Sequence, residues 1–124
     1  DAPPDVEAQL DADKMQRVFD NLIRNAINYS FPNTQVLIRL IREEDGIQID
    51  FINHGNTIPR EKLNRVFEQF FRLDTARTSR TGGAGLGLAI AKEIVELHKG
   101  TILAYSENEI IKFSVRLPSH VRKM

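Results

Sequence analysis

The chain has 124 residues, no cysteine, and 17 basic side chains against 17 acidic ones. That length predicts a single domain with enough chain to bury a core without covalent staples. The balanced charge points away from a bulk nucleic-acid or anionic-membrane surface, and the lack of cysteine excludes disulfides and thiolate metal sites.

Asp1-Ala2-Pro3-Pro4 reads as linker, as if the chain were excised from a longer protein. Residues 1–12 are expected to be a linker or a truncated first strand, 13–118 the folded domain and 119–124 a polar tail. Met15, Val18, Phe19, Leu22, Ile23, Ala26 and Ile27 recur at helical spacing, which predicts an amphipathic helix over 13–29 with Asp11 or Asp13 as cap. Asn21, Asn25 and Asn28 form a stripe about 60° wide beside the apolar face, where a helix borders a cleft. Pro32-Asn33 ends the pattern. Val36–Ile41 and Ile47–Ile52 read as strands joined through Asp45-Gly46, a hairpin signal, and Asn53-His54-Gly55-Asn56 reads as a loop. Pro59 can start a short helix with Leu63, Val66, Phe67 and Phe70 on its buried side.

From Leu73 to Ala84 no hydrophobic period survives, which predicts a mobile functional loop. Leu86, Ile90, Ile94 and Leu97 mark a second long helix stopped by Gly100, and Thr101–Ser106 with Ile110–Leu117 form a closing hairpin. The order implies an α+β two-layer sandwich, a mostly antiparallel sheet with helices on one face.

The glycine cluster Gly82-Gly83-Ala84-Gly85-Leu86-Gly87-Leu88 fits neither familiar nucleotide loop. A dinucleotide fingerprint needs a strand just before it, and a P-loop needs a lysine where Leu88 stands. What remains is either bare backbone N–H groups at a helix start, suited to phosphate, or a hinge without a ligand. Asn25 could offer an amide oxygen to Mg²⁺, whereas Asn28 reads better as a structural hydrogen-bonder. Asn53 is either a turn residue or an acceptor for an exocyclic amine. Arg72, Arg77 and Arg80 are either solvated or placed to grip a triphosphate. Of His54, His98 and His120, only His98 has an evident task, supporting a helix C-terminus.

Taken together, Asn21 to Ser30, Asn53 to Pro59, Phe67 to Arg72, Gly83 to Leu88 and Gly100-Thr101-Ile102 resemble the N, G1, F and G2 boxes and closing element of the catalytic ATP-binding domain of sensor histidine kinases. The wider family includes gyrase, Hsp90 and MutL. The text from Thr78 to Gly85 and from Lys92 to His98 is similar to the sensor kinases of glycopeptide resistance.

The resemblance implies a Bergerat-type fold with a mostly antiparallel mixed sheet and about three helices. It implies ATP and Mg²⁺ as cofactors, with Mg²⁺ on Asn25 and Asn21 and Arg72 acting at the phosphates. Tyr29, Asn53, Gly55 and Ile58 would face the base, and Arg77, Arg80, Gly83, Gly85, Leu86, Gly87 and Leu88 the phosphate side. The implied partners are a histidine-bearing dimerisation domain of the same parent and a response regulator, with no nucleic acid and a monomeric isolated domain. The implied location is the cytoplasmic side of a bacterial plasma-membrane sensor.

Three residues depart from the family pattern: Asn53 replaces its usual Asp, Thr57 its second G1 glycine, and Asn28 a basic residue. ATPase clamps of the wider family carry a glutamate base where Asn21 stands, and an amide cannot take a proton. That favours phosphoryl transfer over hydrolysis. A clamp ATPase and a nucleotide-binding module without catalysis remain the alternatives.

Overall fold

The computed structural model describes residues 12–69, 71 and 87–118. Helix α1 (Ala12–Asn28) buries Met15, Val18, Leu22 and Ala26 on one stripe, as the apolar spacing predicts. Asp13 lies inside its first turn rather than capping it. Ile27 departs from the predicted apolar face and is 61% exposed. It sits about 100° round the helix from Ala26, at the margin of the stripe.

Strands β1 (Leu37–Glu43) and β2 (Gly46–His54) form the first hairpin. The short helix α2 (Arg60–Leu63) follows, then α3 (Gly87–Leu97), and strands β3 (Thr101–Glu107) and β4 (Ile110–Pro118) close the chain. The four strands run in the order β1-β2-β4-β3, and every pairing is antiparallel.

Strand alternation sends Ile49, Phe51, Ile111, Phe113, Val115, Leu117 and Ile102 to the face where Val18, Leu22, Ala91, Ile94 and Val95 of the helices meet them. Phe19 against Phe51 and Phe67 against Phe113, each pair with ring centroids 5.9 Å apart, join the two layers. Among the described residues no helix is long and apolar enough to cross a membrane.

Three punctuation points differ from the sequence expectation. The first hairpin turns at Glu44-Asp45, since Glu43 pairs with Gly46, which already belongs to β2. A Cβ on Gly46 would lie 2.1 Å from the Leu117 carbonyl oxygen, so glycine serves the close approach of β4 there. At the end of α3 the left-handed residue is Lys99 (φ 63°), not Gly100. Gly100 N–H donates to Val95 O and Lys99 N–H to Glu96 O, the paired closure of a Schellman end. Gly100 is held to glycine by space instead, because a Cβ would meet Arg116 O at 2.3 Å.

The third concerns Asn53 and His54, expected in a loop. Both belong to β2, because β4 is long enough to pair Asn53 with Ile111 and His54 with Ile110.

Candidate nucleotide site

Asn53 takes the last inward-facing position of β2, two residues beyond Phe51, and is 1% exposed. Among the described residues neither its Oδ1 nor its Nδ2 has a hydrogen-bond partner. A buried amide left without any partner costs about 1–3 kcal/mol, so its oxygen and nitrogen are open to bonds from a bound molecule. Ile111, the residue directly opposite Asn53 on β4, lies in the wall of a cavity of about 450 Å³; Asn53 sits behind that wall rather than in its lining. Tyr29, Phe31, Ile58 and Pro59 give it apolar surface, and Asn28, Thr57 and Lys62 give it polar surface. The size suits a purine nucleoside.

The wall of that cavity is stitched to the β3–β4 hairpin. Gly55 N–H donates to Glu109 O at 3.1 Å, and Glu109 N–H returns a bond to Thr57 Oγ1 at 2.7 Å. Ile58 N–H donates to Ser106 Oγ at 2.8 Å. Asn108 and Glu109 both hold positive φ, 54° and 62°, which suits the tight turn that aims Glu109 at the loop. Thr57, where the family pattern has glycine, therefore lines the cavity and uses its hydroxyl as an acceptor. Gly55 has no room for a side chain, since a Cβ would sit 2.1 Å from Tyr29 O. Its glycine serves the exit of α1 as directly as any ligand.

On α1, Asn25 is half-buried and Asn28 exposed, beside Tyr29 at the cavity. Asn21 donates its side-chain amide to Gly87 O at 3.1 Å, tying α1 to the first residue of α3. Gly87 is open, its nearest neighbour to an added Cβ being Asn21 Cγ at 3.8 Å. Leu88 packs partly against the core. His98 sets Nδ1 2.9 Å from Ile94 O at the end of α3, in the supporting role expected of it. Arg72, Arg77, Arg80, Gly83, Gly85 and Leu86, together with the predicted mobile loop, Phe70 and His120, lie outside the described residues.

Among the described residues no group of three or more His, Asp or Glu gathers to hold a metal. The amide of Asn53 was legible as a candidate in the sequence. Ser106 and Glu109 were not, because each lies on another hairpin and acts through one hydrogen bond that only the folded register creates.

A four-stranded antiparallel sheet backed by helices, with a cavity at the end of the first helix, defines a two-layer domain of α+β class. Residues 10–121 match the family described as Histidine kinase-, DNA gyrase B-, and HSP90-like ATPase, and the chain belongs to that family. It is 53% identical over 113 residues to the sensor protein VanSC of Enterococcus gallinarum, covering 91% of this chain and 31% of that protein. It is 48% identical over 118 residues to the sensor protein VanS of Enterococcus faecium, covering 95% of this chain and 30% of that protein. Among solved structures, the mycobacterial sensor histidine kinase MprB superposes with a TM-score of 0.82 at 28% identity, over 94% of this chain and 80% of that one. The nucleotide-free catalytic domain of histidine kinase ThkA gives 0.78 at 26% identity, over 90% and 70%. The chain thus spans under a third of the length of the two enterococcal sensors and most of the solved catalytic domain.

Proposed function

We propose that this chain binds ATP with Mg²⁺ and, within a longer sensor kinase, presents the γ-phosphate to a histidine on a separate dimerisation domain. The observation that carries this reading is the buried amide of Asn53, unpartnered among the described residues and set directly opposite Ile111 in the wall of a nucleoside-sized cavity. Asn53 meets the edge of the base, while Tyr29 and Ile58 bound the space it fills. Gly55 lets the loop pass close to α1.

Asn25, at the cleft edge of α1, offers its amide oxygen to the metal. Bound Mg²⁺ and the phosphates it neutralises supply the electrostatics of transfer. Arg72, Arg77 and Arg80 grip the phosphate chain, and Gly83, Gly85, Leu86, Gly87 and Leu88 form the turn that admits it. Asn21 supports that side from α1. It has no basic lone pair with which to activate water, which favours transfer over hydrolysis and sets aside the clamp ATPase.

The similarity to VanSC and VanS supports a parent at the plasma membrane that passes phosphate to a response regulator in glycopeptide resistance.

ATP titration with and without Mg²⁺ tests the binding, and Asn25→Ala should lose the metal-dependent part while staying folded. Mixing the chain and labelled ATP with a separate histidine-bearing dimerisation domain should put acid-labile phosphate on that partner. Rapid ATP turnover by the chain alone would overturn transfer in favour of the clamp reading. Absence of any ATP binding would overturn both.

A further inference from the structure

Asn53 is 1% exposed, and among the described residues no group bonds either of its amide atoms. No hydrogen bond from the described residues therefore fixes which way the amide faces, because a half-turn about its last bond exchanges oxygen and nitrogen without breaking one. The Watson–Crick edge of adenine offers a donor at N6 beside an acceptor at N1. The same edge of a 6-oxo purine offers an acceptor at O6 beside a donor at N1. An amide with its oxygen toward position 6 complements the first, and the same amide turned over complements the second. A carboxylate at this position has two acceptors and no donor, so it meets N6–H well and opposes O6.

We propose that Asn53 is a base-selecting residue that admits both 6-amino and 6-oxo purine nucleotides. This rests on the nucleotide-binding reading above and concerns only the base. The cavity walled by Ile111, the cross-strand partner of Asn53, agrees with it. Its apolar surface comes from Tyr29, Phe31, Ile58 and Ile111, groups that respond to the shape of a flat ring rather than to the pattern of donors on its rim. The bonds from Glu109 and Ser106 hold that wall in place whichever base enters.

The test is displacement of a fluorescent trinitrophenyl-ATP probe from the chain by ATP and by inosine triphosphate, repeated on Asn53→Asp. For the unaltered chain, inosine triphosphate should compete within about tenfold of ATP, the discrimination expected when either base finds two bonds. In Asn53→Asp, ATP should still compete, while inosine triphosphate should fall more than about tenfold further behind. A chain that binds ATP but rejects inosine triphosphate by more than about tenfold overturns the inference. An unchanged ratio of the two in Asn53→Asp overturns it as well. Failure of ATP itself to compete would instead bring down the nucleotide-binding reading. Should a buried carboxylate unfold the chain, Asn53→Leu decides the matter. Both nucleotides must then weaken by a similar factor, and a loss confined to ATP overturns the inference.

Discussion

Asn21 and Gly87 are 66 positions apart in the chain, yet the side-chain amide of one donates to the backbone carbonyl of the other at 3.1 Å. The bond fastens the third turn of α1 to the first residue of α3. Asn21→Ala should cost about 0.5–1.5 kcal/mol, the usual net worth of one such bond. It should also raise hydrogen exchange in the first turn of α3 more than in its last. Uniform exchange along α3 in a stable variant would remove the tether from the account.

Asp50 makes a second, sharper prediction. It lies on the sheet face away from the helices, and its side chain is 0% exposed. Burial pushes its carboxyl pKa up, but hydrogen bonds from Ser114 (2.7 Å), Gln48 (2.9 Å) and Arg39 (3.0 Å), with Lys112 nearby, outweigh that and hold it below the ordinary value. A carboxylate lowered in the folded state stabilises fully above its unfolded pKa of about 4, and that contribution fades as pH falls through the folded value. Asp50→Asn should therefore cost about 1–3 kcal/mol at pH 7. Urea unfolding at descending pH should show the gap to the unaltered chain closing below about pH 4. A gap independent of pH would assign the loss to packing.

Lys99 and Gly100 should respond to substitution with opposite signs. Lys99 holds φ 63°, a conformation that costs a side-chain-bearing residue about 1–2 kcal/mol, so Lys99→Gly should gain up to about 1 kcal/mol. Gly100→Ala drives a methyl into Arg116 O and Leu117 Cδ2, and should lose about 1–3 kcal/mol. Thermal unfolding of the two variants is sufficient to check both signs.

That pair also shows how far the sequence can be read. The periodicity of Met15 to Ala26 located α1 to within one residue at each end, because a stripe of buried side chains is a local pattern. The hairpins and the sheet layer were legible for the same reason. The stop at Gly100 was legible as a stop but not in its cause, since its backbone is crowded by β4, more than a dozen residues downstream. Asn53 read as a loop residue for a similar reason. Only the length and register of β4 carry β2 on to His54, and no local pattern encodes a partner's length. Asp50 stood unremarked inside a β-branched run, because its bonding partners come from three different places in the chain.

Thr57 offers a fourth prediction. Its hydroxyl accepts from Glu109 N–H, so Thr57→Val, which keeps the shape, should lose about 1 kcal/mol and loosen the cavity wall. Exchange of the Glu109 amide should rise in step. Protection of that amide equal to the unaltered chain would mean the bond does not persist in solution.

Neither residue of the turn at Asn108-Glu109 lines the cavity. A survey of variants that weighed positions by their distance from a ligand would score these two as interchangeable surface. The backbone N–H and C=O of Glu109 nevertheless hold Thr57 and Gly55, and both turn residues take left-handed backbone. An inserted residue at 108, or a proline at 109 that removes the N–H, would therefore surface in a binding screen as a loss that no inspection of pocket side chains could trace. Libraries built to retune the base preference of this domain should draw residues 106–109 into their design from the start.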